Sequence, residues 1–306
     1  MNISSLKNHK ILITGGTGSL GKALVRQLAR NNHIVVYSRN EERQYEMMQE
    51  FNNLKIIYKI GDIRDTETLK FALRGCDIVI HAAAMKDLIM IEDQPTQGYL
   101  NNIEGTKSVI KAIIETTSVK KAIAISTDKA ASPSNVYGMT KYIMERLFVE
   151  AGKNSDKIFA CARFGNMIDS HGSLISFWKD HPNTKVKIHH PDLARFFFTT
   201  INAVQTVVDT INNAKSGEIF VPKMKKAKIS DIMEIIFKRK NFPVSSLSPG
   251  EKIHEDLVGD AEKYFCFENS QYYIIKPGIL NKKPVEAFST RNAKEFTSTE
   301  LKKLIF

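Results

Sequence analysis

The chain has 306 residues, 42% of them hydrophobic and 25% charged, so it can bury a large core as one big domain or two smaller ones. It lacks both a signal-peptide pattern and the run of roughly 20 apolar residues that a membrane helix needs, which predicts a cytoplasmic protein that does not enter the membrane. The net charge of +11 comes from basic residues spread along the chain. No aromatic-interleaved basic motif appears, so we expect a lysine-rich solvated surface and a phosphate-bearing small ligand rather than nucleic acid.

Cysteine and histidine usage excludes two further kinds of site. Cys76, Cys161 and Cys266 are widely spaced, which fits a reduced compartment and neither a disulfide framework nor a zinc site. His189 and His190 are adjacent, but nothing nearby completes a metal-ligand spacing. The sequence therefore predicts no metal.

The first half of the chain alternates strand and helix patterns. Apolar runs of strand length lie at residues 10–14, 34–37, 55–60, 77–81, 121–126 and 157–163. Segments with helical periodicity lie between them, at residues 20–30, 66–73 and 98–116. This alternation predicts βαβ units, and hence an α/β fold with a doubly wound parallel sheet of the Rossmann type.

The second half has a different pattern. After about Gly165 prolines punctuate shorter elements, as expected of a smaller domain that closes over a ligand. We therefore expect a dinucleotide-binding domain at residues 1–167 and a substrate domain at 168–306. Residues of about 196–221, with an amphipathic helix at 201–214 and a short strand at 218–221, are expected to return to the main sheet. The tail from Phe267 onward lacks an informative motif and is assigned to the substrate domain's surface or to a subunit contact.

A glycine-rich turn, GGTGSLG at residues 15–21, follows the first strand directly and precedes a helix. Glycines there permit a tight turn and let the backbone approach a pyrophosphate, whose charge sits at the helix N-terminus. Because the pattern lies between a first strand and a first helix, it predicts a dinucleotide site.

The end of the second strand predicts which dinucleotide binds. An acidic side chain there would bond the ribose 2′-hydroxyl of NAD, but the chain reads YSRN at residues 37–40, with Arg43 one turn on. Arg39 and Arg43 can pair with a 2′-phosphate, so NADP is predicted. Asp62, after the third strand, is expected to bond the adenine or cap a helix, and the two roles are compatible.

Two reactive pairs lie within the segment STDKAASPSNVYGMTK, residues 126–141. Tyr137 and Lys141 are four apart and share one helix face, so the ammonium is expected to lower the pKa of the phenol and make it a base. Asp128 and Lys129 form a second acid–base pair, or else a solvated pair at a strand end.

A set of motifs then carries a family resemblance across residues 11 to 255. They are TGGTGSLG, SRNEER, HAAAMK, STDKAASPSNVYGMTK, RFGN with HGS, ARFF, VPK and PGEKIHE. With them the chain resembles an extended short-chain dehydrogenase/reductase of the polysaccharide-biosynthesis type of nucleotide-sugar 4,6-dehydratases. Within that type it is most similar to the inverting UDP-N-acetylglucosamine 4,6-dehydratase group.

The resemblance implies a mechanism that uses both pairs. Hydride leaves C4 of the sugar for NADP⁺, the resulting ketone acidifies the C5 proton, water leaves from C6, and hydride and a proton return. Tyr137 and Lys141 would serve the redox half, and Thr127 would hold the 4-oxygen. Lys129 would be the C5 base and Asp128 the acid for water loss, although two coupled neighbours leave the reverse assignment open.

The resemblance also assigns binding residues and partners. Cofactor contacts fall on Gly15, Thr17, Gly18, Ser19, Leu20, Gly21, Ser38, Arg39, Arg43, Asp62, Ile63, Ala82, Lys86, Tyr137 and Lys141. Contacts to UDP-N-acetylglucosamine or a close UDP-hexose fall on Lys86, Asn102, Asn166, Arg195 and Glu251. A homo-oligomer, from dimer to hexamer, is expected. The chain departs from its relatives at residues 85–89, where it reads MKDLI, and at His171, where an arginine is usual.

Three alternatives stay open. A UDP-sugar 4-epimerase shares the fold and the Tyr137/Lys141 pair but needs no acid–base pair at C5 and C6, so Asp128 and Lys129 disfavour it. A C5-retaining 4,6-dehydratase is disfavoured because some longer, membrane-attached relatives of that kind have methionine at the position of Tyr137. A catalytically idle NADP-binding regulator is disfavoured by the intact set of reactive residues.

Overall fold

The structure, a computed structural model, describes residues 3–168 and 174–306. The strands in these ranges are β1 (Lys10–Thr14), β2 (His33–Ser38), β3 (Ile56–Ile60), β4 (Ile78–His81), β5 (Lys121–Thr127), β6 (Ile158–Phe164), β7 (Asn166–Met167), β8 (Ala194–Phe198), β9 (Ile219–Pro222), β10 (Lys225–Lys228), β11 (Asp256–Val258), β12 (Cys266–Glu268), β13 (Tyr272–Ile275) and β14 (Phe288–Ser289). The α-helices are α1 (Ser19–Leu28), α2 (Glu41–Glu50), α3 (Thr66–Ala72), α4 (Leu88–Asp93), α5 (Pro95–Gly98), α6 (Gly105–Glu115), α7 (Val136–Lys153), α8 (Leu174–Asp180), α9 (Thr200–Asn213), α10 (Ile229–Phe237) and α11 (Ser298–Ile305).

Nine of these strands form one sheet in the order β12-β13-β9-β6-β5-β4-β1-β2-β3. Neighbouring strands from β3 to β9 are parallel, and β13 and β12 add an antiparallel edge. The direction of strand order reverses between β1 and β4, so the carboxyl ends of the strands open a crevice there. The predicted α/β fold with a doubly wound, Rossmann-type sheet is confirmed.

Burial explains why these strands read as continuous apolar runs. Ile11, Leu12 and Ile13 of β1 are fully buried on both faces of the sheet, because helices cover both faces. α1 packs against α9, while α3, α6 and α7 pack in a second row. The predicted strands and the helix at 201–214 lie close to the observed β1–β6 and α9.

One predicted helix has a different geometry. The segment 98–116 was expected to be a single helix, but Tyr99–Glu104 is π-helical and leads into α6 at Gly105. The wider turn turns Asn102 inward, where it is only 2% exposed. Apolar periodicity does not reveal an extra residue in one helical turn, and π-turns often lie near functional sites.

A second, smaller core lies outside the main sheet. Trp178, Ile188, Phe197, Ile232 and Leu301 are among its buried side chains. Two small sheets, β10-β8-β7 and β11-β14, accompany it. No helix in the described part of the chain is long and apolar enough to cross a membrane.

The C-terminal tail differs from its expected place. Within the segment 196–221, β9 lies in the main sheet and pairs in parallel with β6, whereas β8 lies in a small sheet with β10 and β7. The tail then adds β13 and β12 to the same sheet rather than lying on the surface of a second domain. Strands of three or four residues give no clear alternation, and the pairing of β13 with β9 is a long-range contact that the local sequence does not encode.

Candidate active site

A cleft of about 540 Å³ opens at the carboxyl ends of the central strands. The predicted cofactor residues that line it are Gly15, Thr17, Gly18, Ser19, Leu20, Gly21, Ser38, Arg39, Arg43, Ile63, Ala82, Lys86, Tyr137 and Lys141. Thr127, Lys129 and Asn166 line it as well. The topology therefore brings the glycine turn and the reactive segment into one cavity, as expected for a crevice at the point where strand order reverses.

Close backbone approach explains the glycines of the first turn. Gly15 has φ +66°, and a Cβ there would lie 2.8 Å from the Cα of Ala83. A Cβ on Gly21 would lie 2.5 Å from the backbone of Gly16, so helix α1 can start directly against the turn. Gly18 caps α1, and Ser19, Leu20 and Gly21 of its first turn line the cleft, an arrangement suited to an anionic ligand.

The end of β2 presents arginines to the cleft. Arg39 is 60% exposed, and its Nη1 lies 3.6 Å from Oδ2 of Asp62. Arg64 donates to the same carboxylate at 2.6 Å. Burial raises the pKa of Asp62, but the hydrogen bonds from Arg64 outweigh this and lower it. Asp62 is not part of the cleft lining, and the helix cap expected of it belongs instead to Asp65, which accepts from two amides of α3.

Asn102 was predicted to contact substrate but is committed to the protein. Its Oδ1 accepts from the amide of Met85 at 2.8 Å, and its Nδ2 donates to the carbonyl of Met85 at 2.9 Å. The same Nδ2 donates to Thr140 on α7 at 3.0 Å. Asn102 thus holds the loop that carries Lys86 against the helix that carries Tyr137, and it lies beneath the cleft rather than in its lining.

The second reactive pair lies in a buried turn at the end of β5. Asp128 is 1% exposed, and its Oδ1 accepts from Thr127 Oγ1 at 2.9 Å and from Lys129 Nζ at 3.1 Å. Its other oxygen, Oδ2, is buried without a hydrogen-bond partner among the described residues. Because Asp128 is buried, it does not form a solvated surface pair. A buried carboxylate oxygen without a hydrogen-bond partner is costly unless a ligand satisfies it.

Tyr137 and Lys141 share the cleft face of α7, as their spacing predicts. In the structure the pKa of Tyr137 is raised to about 12, because burial raises it more than Lys129 and a hydrogen bond with Thr127 lower it. This is opposite to the expected effect of Lys141, whose Nζ lies 2.9 Å from the sulfur of Met144. Burial lowers the pKa of Lys141 to about 8, which suits a group that exchanges protons near neutral pH.

Sequence reasoning missed one carboxylate at this site. Glu255 is 1% exposed, and its Oε1 lies 3.5 Å from Lys129 Nζ. Burial lowers the pKa of Lys129, while Asp128 and Glu255 raise it, and the result lies above its usual value. Glu255 stands in the PGEKIHE motif, four residues after the Glu251 that was selected, and only the fold reveals which of the two meets Lys129.

Arg195 and Glu251, both predicted to bind substrate, lie next to each other outside the lining of the 540 Å³ cleft. Arg195 Nη2 lies 3.3 Å from Glu251 Oε1. Glu251 also accepts from His189 at 2.6 Å and from the amide of Ser248 at 3.1 Å. Arg195 lowers the pKa of Lys129, so this group is electrostatically coupled to the reactive turn. His171 lies outside the described residues.

Comparisons with known proteins agree with this architecture. The family model for polysaccharide biosynthesis protein matches residues 11–277. The chain is 38% identical over 278 residues to the UDP-N-acetylglucosamine 4,6-dehydratase (inverting) of Campylobacter jejuni, covering 88% of this chain and 83% of that protein. It is 31% identical over 323 residues to the UDP-glucose 4-epimerase of Rickettsia bellii, covering 96% and 94%.

A solved structure matches over almost the whole length. The X-ray structure of Pen from Bacillus thuringiensis superimposes with a TM-score of 0.90 at 33% identity, covering 98% of this chain and 97% of that one. The likeness therefore extends beyond the Rossmann-type sheet to the C-terminal elements. On the family match, the relatives and the shared fold, the chain belongs to the polysaccharide biosynthesis protein family.

Proposed function

We propose that the protein is a UDP-N-acetylglucosamine 4,6-dehydratase that inverts C5 and yields a UDP-2-acetamido-2,6-dideoxy-4-hexulose. The observation that carries the proposal is the buried Asp128–Lys129 pair beside Tyr137 and Lys141 in one cavity. An alcohol oxidation needs one acid–base set, whereas loss of water across C5 and C6 needs a second. The name of the Campylobacter relative supports the same substrate.

The cleft fits a dinucleotide. The turn at Gly15 is so tight that a Cβ there would collide with Ala83, and a tight glycine turn of this kind lets the backbone approach a pyrophosphate. We infer NADP rather than NAD, since Arg39 and Arg43 line the cleft where an acidic residue would favour NAD. Held by the Gly15 turn with Arg39 and Arg43, the dinucleotide would supply the hydride acceptor for C4 and the hydride donor for C6.

The chain's own residues move the protons. Tyr137 takes the proton of the 4-hydroxyl; burial raises its pKa, and Lys129 and a hydrogen bond with Thr127 oppose that rise. The 4-ketone then acidifies C5, so that one member of the Asp128–Lys129 pair removes the C5 proton and the other protonates the departing 6-hydroxyl. The unpaired Oδ2 of Asp128 suits an acceptor or donor to that hydroxyl.

The two assignments within the pair differ by one proton. The raised pKa of Lys129 supports an ammonium beside the Asp128 carboxylate as the resting state. Used directly, this state makes Asp128 the C5 base and Lys129 the acid. Transfer of the proton across the 3.1 Å contact gives a neutral amine and a carboxylic acid, which is the assignment implied by the family resemblance.

We propose that the substrate binds next to the Asp128–Lys129 pair. Lys86 and Asn166 line the cleft, and Arg195 with Glu251 lies close enough to influence Lys129. Arg195 supplies a forked donor for a pyrophosphate, and Glu251 can accept from ribose hydroxyls. Binding would then exchange part of the Arg195–Glu251 contact for contacts to the nucleotide.

A second candidate is a UDP-sugar 4-epimerase, because the Rickettsia relative carries such a name. An epimerase needs only the redox pair, and the buried Asp128, Lys129 and Glu255 would then have no task. Burying three ionised side chains without function is costly, which supports the dehydratase.

The test is incubation of the purified protein with UDP-N-acetylglucosamine in D₂O and proton NMR of the product. We expect a 4-keto-6-deoxy sugar with deuterium at an inverted C5. Lys129→Ala should stop its formation while nucleotide binding persists, and bound NADPH should accumulate and be visible by its absorbance. A product that is only the C4 epimer, without deuterium at C5, would show that the protein is a 4-epimerase and not a dehydratase.

A further inference from the structure

Glu255 is a buried carboxylate that the proposed proton transfers do not use. Its side chain is 2% exposed, and Oε1 lies 3.5 Å from Lys129 Nζ. Its Oε2 lies 3.3 Å from Lys252 Nζ but makes no hydrogen bond among the described residues. A carboxylate buried at this depth needs a strong partner, because desolvation of an ion costs several kcal/mol.

The backbone fixes where this carboxylate points. The amide of Glu255 donates to Thr290 Oγ1 at 3.1 Å, and the amide of Thr290 donates back to the Glu255 carbonyl at 2.9 Å. Lys252 donates to the carbonyl of Ser132 at 2.8 Å. The segment is therefore tied on one side to β14 and on the other to the turn that follows Lys129.

The same segment packs along the start of the catalytic helix. Gly250 has φ +72°, and a Cβ there would lie 2.7 Å from Asn135. Ser134 and Asn135 both donate to the carbonyl of Gly250, at 2.8 and 3.1 Å. Because several contacts hold the segment, Glu255 is presented to Lys129 by the fold rather than recruited by the lysine's charge.

We propose that Glu255 is a positioning residue for the dehydration step: its carboxylate holds the Lys129 ammonium between two negative charges, at the end of β5 and in contact with Asp128. The inference rests on the proposed function, since it assigns Lys129 to the elimination. Without Glu255, Asp128 is the single carboxylate that contacts the lysine in the structure.

The charge on Lys129 depends on groups from four parts of the chain. The groups that face it are Asp128 in its own turn, Tyr137 on α7, Arg195 on β8 and Glu255 before β11, with Lys252 behind Glu255. Two of these are cations and oppose protonation, so each carboxylate matters. Glu255→Gln keeps the shape of the side chain and removes one of the two negative charges.

The first test measures the titration of Lys129 by NMR of protein labelled at lysine Cε, with its signal assigned by its loss in Lys129→Arg. In the wild type we expect the signal not to titrate below about pH 10.5, the ordinary lysine value. In Glu255→Gln the midpoint should fall by about one to three units, the usual effect of an opposite charge within 4–6 Å. Asp256→Asn is the matched control, because Asp256 lies 3.7 Å from Lys252 but is not among the groups that face Lys129.

The second test is kinetic. Glu255→Gln should lower kcat by about 10- to 100-fold, the scale of a misplaced reacting group, with little change in KM, and the limb of the kcat–pH profile set by Lys129 should move to lower pH. Glu255→Asp keeps the charge with a shorter reach and should recover part of kcat and of the pH profile. It also serves as the test if Glu255→Gln does not fold.

Three results overturn the inference: an unmoved Lys129 titration in Glu255→Gln, an equal shift in Asp256→Asn, or a kcat–pH profile that matches the wild type. A wild type that forms no 4-keto-6-deoxy product refutes the proposed function instead. In that case a shifted Lys129 midpoint still supports Glu255 as the residue that fixes the lysine's charge.

Discussion

At the end of β2, Arg39 extends a guanidinium into the cleft with Asp62 as its partner at 3.6 Å. This exposed contact is weak, so a phosphate can displace it at small cost. We expect Arg39→Ala to weaken NADP binding by about 10- to 100-fold, the scale of hydrogen bonds to a charged group, and to leave NAD binding nearly unchanged. Titration calorimetry with both dinucleotides measures this difference.

Arg64→Gln is the matched control for Arg39. Arg64 also pairs with Asp62, at 2.6 Å, but it does not line the cleft. Its loss should therefore affect both dinucleotides alike. If the wild type binds NAD more tightly than NADP, the cofactor proposal is wrong.

The residues of the site differ in how far the sequence could predict them. Tyr137 and Lys141 were predictable because helical spacing alone sets them on one face. Glu255 was not, because its contact with Lys129 is a long-range contact between residues far apart in the chain. The substrate contact of Asn102 stays a prediction, and its bonds to Met85 and Thr140 could not be predicted, because an asparagine that clamps a backbone loop looks the same in sequence as one that binds a ligand.

At the scale of elements, Arg163 joins three parts of the molecule. It is fully buried on β6 and donates to Glu145 on α7 at 2.8 and 2.6 Å, and to Glu262 at 2.7 Å. Burial raises the pKa of Glu145, but Arg163 outweighs it and lowers the pKa. The helix that carries Tyr137 is thereby fixed to the sheet and to the C-terminal segment.

Removal of one partner leaves a buried charge undercompensated. Glu145→Ala should lower the free energy of unfolding by about 3–5 kcal/mol, measured by urea denaturation. Glu150→Ala is the control, since Glu150 is exposed on the same helix and should change stability by less than about 0.5 kcal/mol. Equal losses in the two variants would show that Arg163 does not depend on Glu145.

The sequence predicted strands and helices well where the pattern of buried residues is regular along the segment itself. The centres of β1 and β4 are apolar because both faces of a parallel sheet are covered, and the bounds of these strands were predictable to within a residue or two. β12 and β13 were not predictable, since their few residues gain a strand's hydrogen bonds only when β13 pairs with β9 and β12 pairs with β13. The π-helical turn at Tyr99–Glu104 was not predicted either, because apolar periodicity does not reveal one extra residue in a helical turn.

At the scale of the whole molecule, residues from both halves of the chain meet at the reactive turn. The turn that follows β5 supplies Lys129, and the segment before β11 supplies Glu255. The division at residue 167 stays a prediction, but the tail's strands in the main sheet and the Glu255 carboxylate beside Lys129 connect both halves. We therefore expect the free energy of unfolding to depend on charged residues in both halves of the chain.

His81 makes the free energy of unfolding depend on pH within a definite range. It is fully buried at the end of β4, and burial, together with the charge of Lys141, lowers its pKa to about 3. Thr106 donates its own hydroxyl proton to the carbonyl of Asn102 at 2.6 Å. Nε2 of His81, 3.0 Å from that hydroxyl, must therefore be the donor, and Nδ1 accepts from Thr14 at 2.8 Å. The neutral imidazole ring of His81 thus makes both hydrogen bonds, one to Thr14 and one to Thr106.

The sign of the pH effect follows from the direction of this shift. Unfolded His81 binds a proton below about pH 6.5, whereas folded His81 stays neutral until about pH 3. Since the unfolded state binds more protons in this interval, stability is complete above about pH 6.5 and falls as the pH drops. We expect the wild type to lose about 2 kcal/mol of unfolding free energy between pH 7 and pH 5 from this residue, measured by urea denaturation at each pH.

His81→Gln should be less stable than the wild type at pH 7 but should lose much less on acidification. His254→Gln is the comparison, because burial also lowers the pKa of His254, yet its side chain is only partly buried and it should retain most of the wild-type acid sensitivity. The interval from pH 7 to pH 5 lies above the ordinary carboxylate range, so histidines dominate it. A wild type equally stable at both pH values would mean that His81 is protonated in the folded protein, and the Thr14–His81–Thr106 arrangement would have to be rebuilt around a cation.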